Sequence, residues 1–196
     1  MTDNVIPLFP LQTVLFPGGP LPLRIFETRY TDMVGRCARE QKPFGVVLIQ
    51  EGEEAGEVAT TTAVGCTARI ADFYTLQDGL LGISCLGEHK FRAERVWREA
   101  DGLNVAEVSW LADEPRIALA PDYSRLADIV RRAMSELEEH YQHVEKRFDD
   151  ASWVGSRLAE LLPLRLPDKQ ALLEMADPVA RLDALRDVNV VLETDA

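Results

Sequence analysis

Basic side chains are in short supply: 21 lysines and arginines stand against 33 aspartates and glutamates, a formal charge of −12. Nucleic-acid binding draws most of its affinity from cations that displace counterions at phosphates, so this balance argues against a nucleic-acid partner. It argues equally against an anionic membrane surface. Cysteine is scarce and odd in number, at Cys37, Cys66 and Cys85. With no CxxC pair, these fit neither a zinc site nor a disulfide framework and read as buried thiols in a reducing compartment. No run of about 18 apolar residues exists, so no membrane-spanning helix is expected. The opening Met1-Thr2-Asp3-Asn4 lacks a basic region, and Pro7, Pro10 and Pro17 interrupt the apolar stretch behind it. That is unlike a secretory signal, and the expectation is a soluble, cytoplasmic protein.

Motifs of catalysis are missing too. No glycine precedes a lysine, so no phosphate loop of the GxxxxGK[ST] type is present. Ser84 and Ser156 lie near glycines without the GxSxG elbow. The acidic run Glu51 to Glu57 lacks the alternating aspartates of an EF-hand loop and reads as solvated. His140 and His143 sit three apart on a presumed helix with Glu136 and Glu139 four residues upstream of each. The HExxH order is absent, so ordinary charge pairs on a wet face are the preferred reading. No cofactor and no metal are expected.

What the chain does contain is 46% hydrophobic and 28% charged residues over 196 positions, an ordinary globular composition. The first stretch, Val5-Ile6-Pro7-Leu8-Phe9-Pro10-Leu11 and Phe16-Pro17-Gly18-Gly19-Pro20-Leu21-Pro22-Leu23, is too proline-rich for a central strand. It should be extended, edge-paired, and turned at Pro17-Gly18-Gly19. From Glu27 a helical stripe runs through Tyr30, Met33, Val34, Cys37 and Ala38 until Pro43 stops it. Phe44 to Ile49 reads as a strand buried on both faces. From Val64 to Leu111 the period becomes two, with Gln77-Asp78-Gly79 and Asp101-Gly102 as turns between strands of about 5–8 residues. Trp97 and Trp110 are placed on adjacent strands as a cross-strand pair. A long helical stripe then runs from Leu126 to Phe148, and three shorter helices follow around Val154–Leu162, after Asp168, and from Asp177-Pro178. The expected fold is α+β: a small antiparallel β-barrel over 1–113 and an α-helical bundle over 114–196.

Several blocks are more specific than composition. Ile6-Pro7-Leu8-Phe9-Pro10-Leu11, Leu15-Phe16-Pro17-Gly18, Leu21-Pro22-Leu23-Arg24-Ile25-Phe26-Glu27, then Arg29-Tyr30 and Met33, resemble the start of the Lon protease N-terminal domain. Phe44-Gly45-Val46-Val47-Leu48, Val64 to Ile70, Leu158 to Pro163 and Lys169 to Glu174 continue the likeness in the same order. One departure is Lys90 before Phe91, where that family usually reads arginine. The resemblance implies a PUA-like barrel with a trailing helical part. It implies a polypeptide-recognition module without the ATPase and serine–lysine peptidase modules, hence no enzyme, acting alone as an adaptor or chaperone-like factor.

On that reading, unfolded or extended polypeptides bind weakly at a surface drawn from Leu8, Phe16, Pro17, Leu21 and Phe26. Glu53 and Glu54 in the acidic loop would select basic, apolar clients. A homodimer is left open. The competing reading is an enzyme or small-ligand binder with a pocket on the same barrel. The RNA-binding habit of PUA domains would need a basic patch. Arg92, Arg95 and Arg98 are the nearest candidates, and strict alternation places Arg95 opposite the other two.

Overall fold

The computed structural model describes residues 4–51 and 60–194, with side chains described as far as residue 186. The chain divides into two compact units, residues 1–112 and 113–196. Among the described residues the first holds seven strands and one helix: β1 (Val5–Leu11), β2 (Pro20–Ile25), α1 (Thr28–Glu40), β3 (Phe44–Glu51), β4 (Thr60–Thr61), β5 (Val64–Thr75), β6 (Leu81–Arg98) and β7 (Asn104–Trp110). The sheet is mostly antiparallel, in the order β1-β7-β6-β5-β3-β4, with β2 on β6. The exception is β1, which also pairs β3 in parallel and returns the ladder to its first strand. A parallel pair needs a long crossover, and the segment carrying β2 and α1 supplies it.

β1 is therefore not an edge strand, although its prolines predicted one. Its first half, Val5 to Leu8, pairs with β7, and its second half, Leu8 to Leu11, pairs with β3. The Val108 N–H donates to the Asn4 carbonyl at 2.7 Å, which makes the even-numbered residues of β1 the ones hydrogen-bonded to β7. Pro7 thus lacks its N–H on the side facing away from β7, before β3 has begun. The strand changes partner within itself, so each half keeps one side where proline costs nothing. β2 follows the expected rule: Pro20 and Pro22 lie on a strand that, among the described residues, pairs with β6 alone.

β6 replaces the expected pair of short strands with one of 18 residues. It runs through Gly87, whose N–H and carbonyl both bond the Phe16–Gly19 turn, Gly18 N–H to Gly87 O at 2.8 Å and Gly87 N–H to Gly19 O at 2.9 Å. A Cβ on Gly87 would stand 2.2 Å from the Phe16 carbonyl oxygen. The turn itself has Gly18 at φ 73° and a Gly19 N–H to Phe16 O bond, as Pro17-Gly18-Gly19 predicts.

Two apolar clusters result. The larger joins Phe9, Leu15, Leu21, Ile25, Phe44, Ile83 and Cys85 to the buried face of α1, namely Tyr30, Met33, Val34 and Cys37. Ala38, the last member of the predicted stripe, is exposed. The smaller cluster gathers Ile6, Leu8, Val47, Phe91, Ala106 and Val108. Phe91 fits there because Gly45 and Gly65 face it; a Cβ on either would lie 2.7 Å from its ring.

The second unit contains α2 (Ser124–Glu136), α3 (Ala151–Leu161), α4 (Leu166–Glu174) and α5 (Pro178–Thr194), and α3 touches the other three. α2 ends a full three turns before the predicted Phe148. Glu136, Glu138 and Glu139 crowd the negative end of the helix, and successive turns take over from Leu137. His140 and His143 consequently share no helix face. α4 starts at Leu166, ahead of the expected Asp168, with Pro167 in its first turn. Asp177 caps α5 as its sequence predicts, accepting from Val179 N–H at 2.8 Å.

Arg181, like Arg157, is a buried arginine of this unit. It is paired through both terminal nitrogens with Glu114, and donates to Ser156 Oγ and to the Leu172 and Met175 carbonyls. Every donor group is met, which is what makes a buried guanidinium tolerable; removing Glu114 alone would cost about 3–5 kcal/mol. For the first unit, Gly87→Ala forces the Phe16 turn off β6 and should lower unfolding stability by about 1–3 kcal/mol. A chemical-denaturation midpoint unchanged from wild type would contradict that packing.

Candidate functional site

The structure buries Leu8, Phe16 and Leu21. Leu8 fills the cluster around Phe91, Phe16 lies under the turn on Gly87, and Leu21 joins the main core. They offer no area to a partner, so the surface expected there is corrected on these three. Pro17 is half-buried, and Phe26, at 60% exposure, is the member that faces solvent. Glu53 and Glu54 lie outside the described residues.

The arginine and tryptophan expectations also change. A bulge in β6 between Ala93 and Arg95 puts Arg92 opposite Ser109 and Arg95 opposite Glu107. Those two β7 residues share a face, so Arg92 and Arg95 do as well, and Arg98, opposite Asn104, takes the other. Arg95 stacks over Trp97 at 5.8 Å, and Arg98 donates to the Gly102 carbonyl, so the three arginines do not share one face. Trp97 pairs with Val105 and Trp110 with Phe91, not with each other.

Sequence patterning missed two grooves that flank α1 and share Cys37 and Lys42. The first, about 390 Å³, lies where β3 has not yet joined β1. Val5, Pro7 and the exposed Trp110 form its apolar lips, and Arg36 and Glu99 face each other across it at 4.0 Å. The second, about 400 Å³, lies between Cys37 and Ala38 on α1, Gln41 just past its end, and Ile70 and Phe73 on β5. Phe73 belongs to the core face of its sheet, opposite Ile83, yet is 48% exposed. An aromatic ring on the core side that remains half in water marks a surface with unspent apolar area.

β5 also carries an open backbone edge there. It pairs with β3 only from Cys66 to Ala68, because the chain before Phe44 turns away into α1. From Arg69 to Thr75 no strand among the described residues lies on its side away from β6. The Leu76 N–H to Leu80 O bond at 2.9 Å sets the alternation, so Tyr74 bonds Gly82 while Phe73 and Thr75 point outward. The Phe73 N–H is satisfied by Asp72 Oδ1 at 2.8 Å. Phe73 O and the N–H and carbonyl of Thr75 face the open side.

A family model described as the ATP-dependent protease La (LON) substrate-binding domain matches residues 5–188. The chain belongs to the Lon substrate-binding domain family. Lon protease 2 of Myxococcus xanthus is 26% identical to it over 187 residues, covering 91% of this chain and 22% of that protein. The Lon protease of Cytophaga hutchinsonii is 27% identical over 188 residues, covering 91% and 23%. The chain thus spans less than a quarter of the length of these relatives. A solved Lon N-terminal domain protein from Xanthomonas campestris superimposes with a TM-score of 0.76 at 38% identity, covering 95% of this chain and 98% of that one. The N-terminal domain of Mycobacterium avium complex Lon protease shares the fold, with a TM-score of 0.63 at 18% identity over 93% and 96% of the two chains.

In this Lon-type domain the family-like residues do structural work. Tyr30 stacks on Phe9 at 3.9 Å between ring centres, and Arg29 reaches the Gly102 carbonyl at 3.0 Å while pairing with Glu27. Glu160 accepts from the Tyr141 hydroxyl at 2.5 Å and pairs with buried Arg157 at 3.1 Å. Among the described residues, no group of three or more His, Cys, Asp or Glu is placed to hold a metal ion.

All three thiols are buried. Burial pushes Cys37 up from its ordinary value and Cys85 up to about 12, with the neighbouring Cys37 adding to the second shift. A raised folded value means that folding holds the proton. Above about pH 9 the unfolded thiol ionises while folded Cys85 stays protonated, so stability falls from pH 9 toward pH 12. Each such thiol contributes up to about 1.4 kcal/mol per pH unit in that window. Denaturation series across it should show a shallower slope for Cys85→Ala; an identical slope would contradict the burial argument.

Proposed function

We propose that this Lon-type domain is a polypeptide-recognition module that holds extended client segments in the groove between α1 and β5. The half-exposed Phe73 on the core side of its sheet carries the proposal, and the family's description as substrate-binding gives it direction. An adaptor or chaperone-like role follows in which the domain presents clients to another machine without changing them. Ordering a flexible chain costs entropy, so affinities should be micromolar. Phe26, solvent-exposed and outside the groove, is a secondary apolar contact.

The small-ligand reading attaches to the other groove, whose 390 Å³ and Trp110 suit a compact apolar molecule. The two separate by substitution. Titration of fluorescent extended peptides against Phe73→Ser should show at least about fivefold weaker binding, one apolar anchor being worth about 1 kcal/mol or more. Trp110→Ser should bind those peptides as wild type does. Peptide binding that survives Phe73→Ser and fails in Trp110→Ser would overturn the assignment.

A further inference from the structure

We infer that the client is bound as an added β-strand on the open edge of β5, with an apolar side chain in the α1–β5 groove and a carboxylate beside it. This rests on the polypeptide-recognition reading and specifies how that site works. The backbone supplies the first argument. Along Arg69 to Thr75 the sheet offers the Phe73 carbonyl and both Thr75 groups to a neighbour, a pattern that an extended main chain completes. The opposite side of the same sheet arm is treated differently. There β2 carries Pro20 and Pro22, which remove donors and blunt that edge, whereas the β5 edge contains no proline.

Charge supplies the second argument and selects the occupant. In a chain of net charge −12, the two charged residues that line this groove are both basic: Lys42, and Arg69, whose side chain the strand register sends to the sheet face opposite Ile70. Their carboxylate neighbours, Glu40 at 3.5 Å and Glu88 at 2.7 Å, lie off the lining, and both pairs are partly exposed. Exposed pairs of this kind exchange partners at little cost. At physiological salt the distant acidic surface is screened over about 8 Å, so Lys42 at the α1 end of the groove weighs more than the net charge, while Asp72 stays engaged by the Phe73 N–H. The client class is therefore an extended segment with alternating apolar residues and an aspartate or glutamate next to them, not the basic segment that the acidic loop suggests.

The geometry fixes a test. The client donates to Phe73 O and Thr75 O from two residues spaced by two, and accepts from Thr75 N–H. A set of synthetic peptides, each an alternating Leu/Thr sequence with one Glu, is titrated first without modification and then with single backbone N-methyl groups walked along it. Two positions, two apart, should each lose at least about fivefold in affinity, and the position between them should lose little. Replacing the Glu by Lys should weaken binding by a similar factor. Thr75→Pro removes the outward N–H and leaves the bonds to β6 intact, so it should weaken the unmodified peptide while the thermal midpoint stays within a few degrees. If Thr75→Pro does not fold, the N-methyl walk alone decides.

If unmodified peptides bind but every N-methyl position is equivalent, strand addition is wrong and the polypeptide-recognition reading stands. If no peptide binds, both fail. Preference for the Lys peptide overturns the carboxylate assignment. If the wild-type chain is a dimer by light scattering and Thr75→Pro is a monomer, the edge belongs to a second copy and the proposal is overturned.

Discussion

Strand β6 can serve three neighbours because residue 87 has no side chain. Its first half pairs with β2 and β5 and its second half with β5 and β7, and the exchange of β2 for β7 takes place where the Phe16–Gly19 turn lies on Gly87. Two backbone hydrogen bonds lock that turn to the strand at a separation that a single methyl group would prevent. Once β6 is continuous, the hairpin arm Phe73–Leu81 is carried beyond the part of β5 that β3 covers. The open edge is thus a consequence of the same strand that organises the core.

Elements whose geometry is decided locally were legible from the residues. The type II signature of Phe16-Pro17-Gly18-Gly19, the Asp-Gly turns with Gly79 and Gly102 at positive φ, and the Asp177-Pro178 cap all depend on chemistry within a few positions. What was not legible depends on partners. Pro7 and Pro10 sit in a strand bonded on both sides because the two ladders overlap only at Leu8, a fact fixed by β3 and β7 and not by β1. The bulge at Ala93 and Arg95 moved Arg95 to the face of Arg92, and periodicity has no means of announcing a bulge. The long stripe through Tyr141 and Val144 was real as a pattern of burial, since both are buried, but turns and not helix deliver them.

The site was less legible than the fold for a related reason. The residues that make the chain recognisable, such as Phe9, Phe16, Leu21, Arg29 and Tyr30, are held in the core or clasp a turn. A family likeness carried by packing residues identifies an architecture and places function only coarsely. Phe73, Ile70, Ala38 and Lys42 have no distinctive pattern in the sequence. They become a groove only when α1 ends at Glu40 and β3 begins opposite Ala68, leaving the rest of β5 uncovered.

Client binding by strand addition requires the β5 edge to be free in the unliganded protein and filled by client backbone, and amide hydrogen exchange reads that edge one residue at a time. In the free protein the Thr75 amide should exchange rapidly and the Tyr74 amide, bonded to β6, slowly. Saturating with a bound peptide should slow Thr75 by at least tenfold and leave Tyr74 unchanged. A Thr75 amide already protected without peptide, or one indifferent to a peptide shown to bind, would contradict the account.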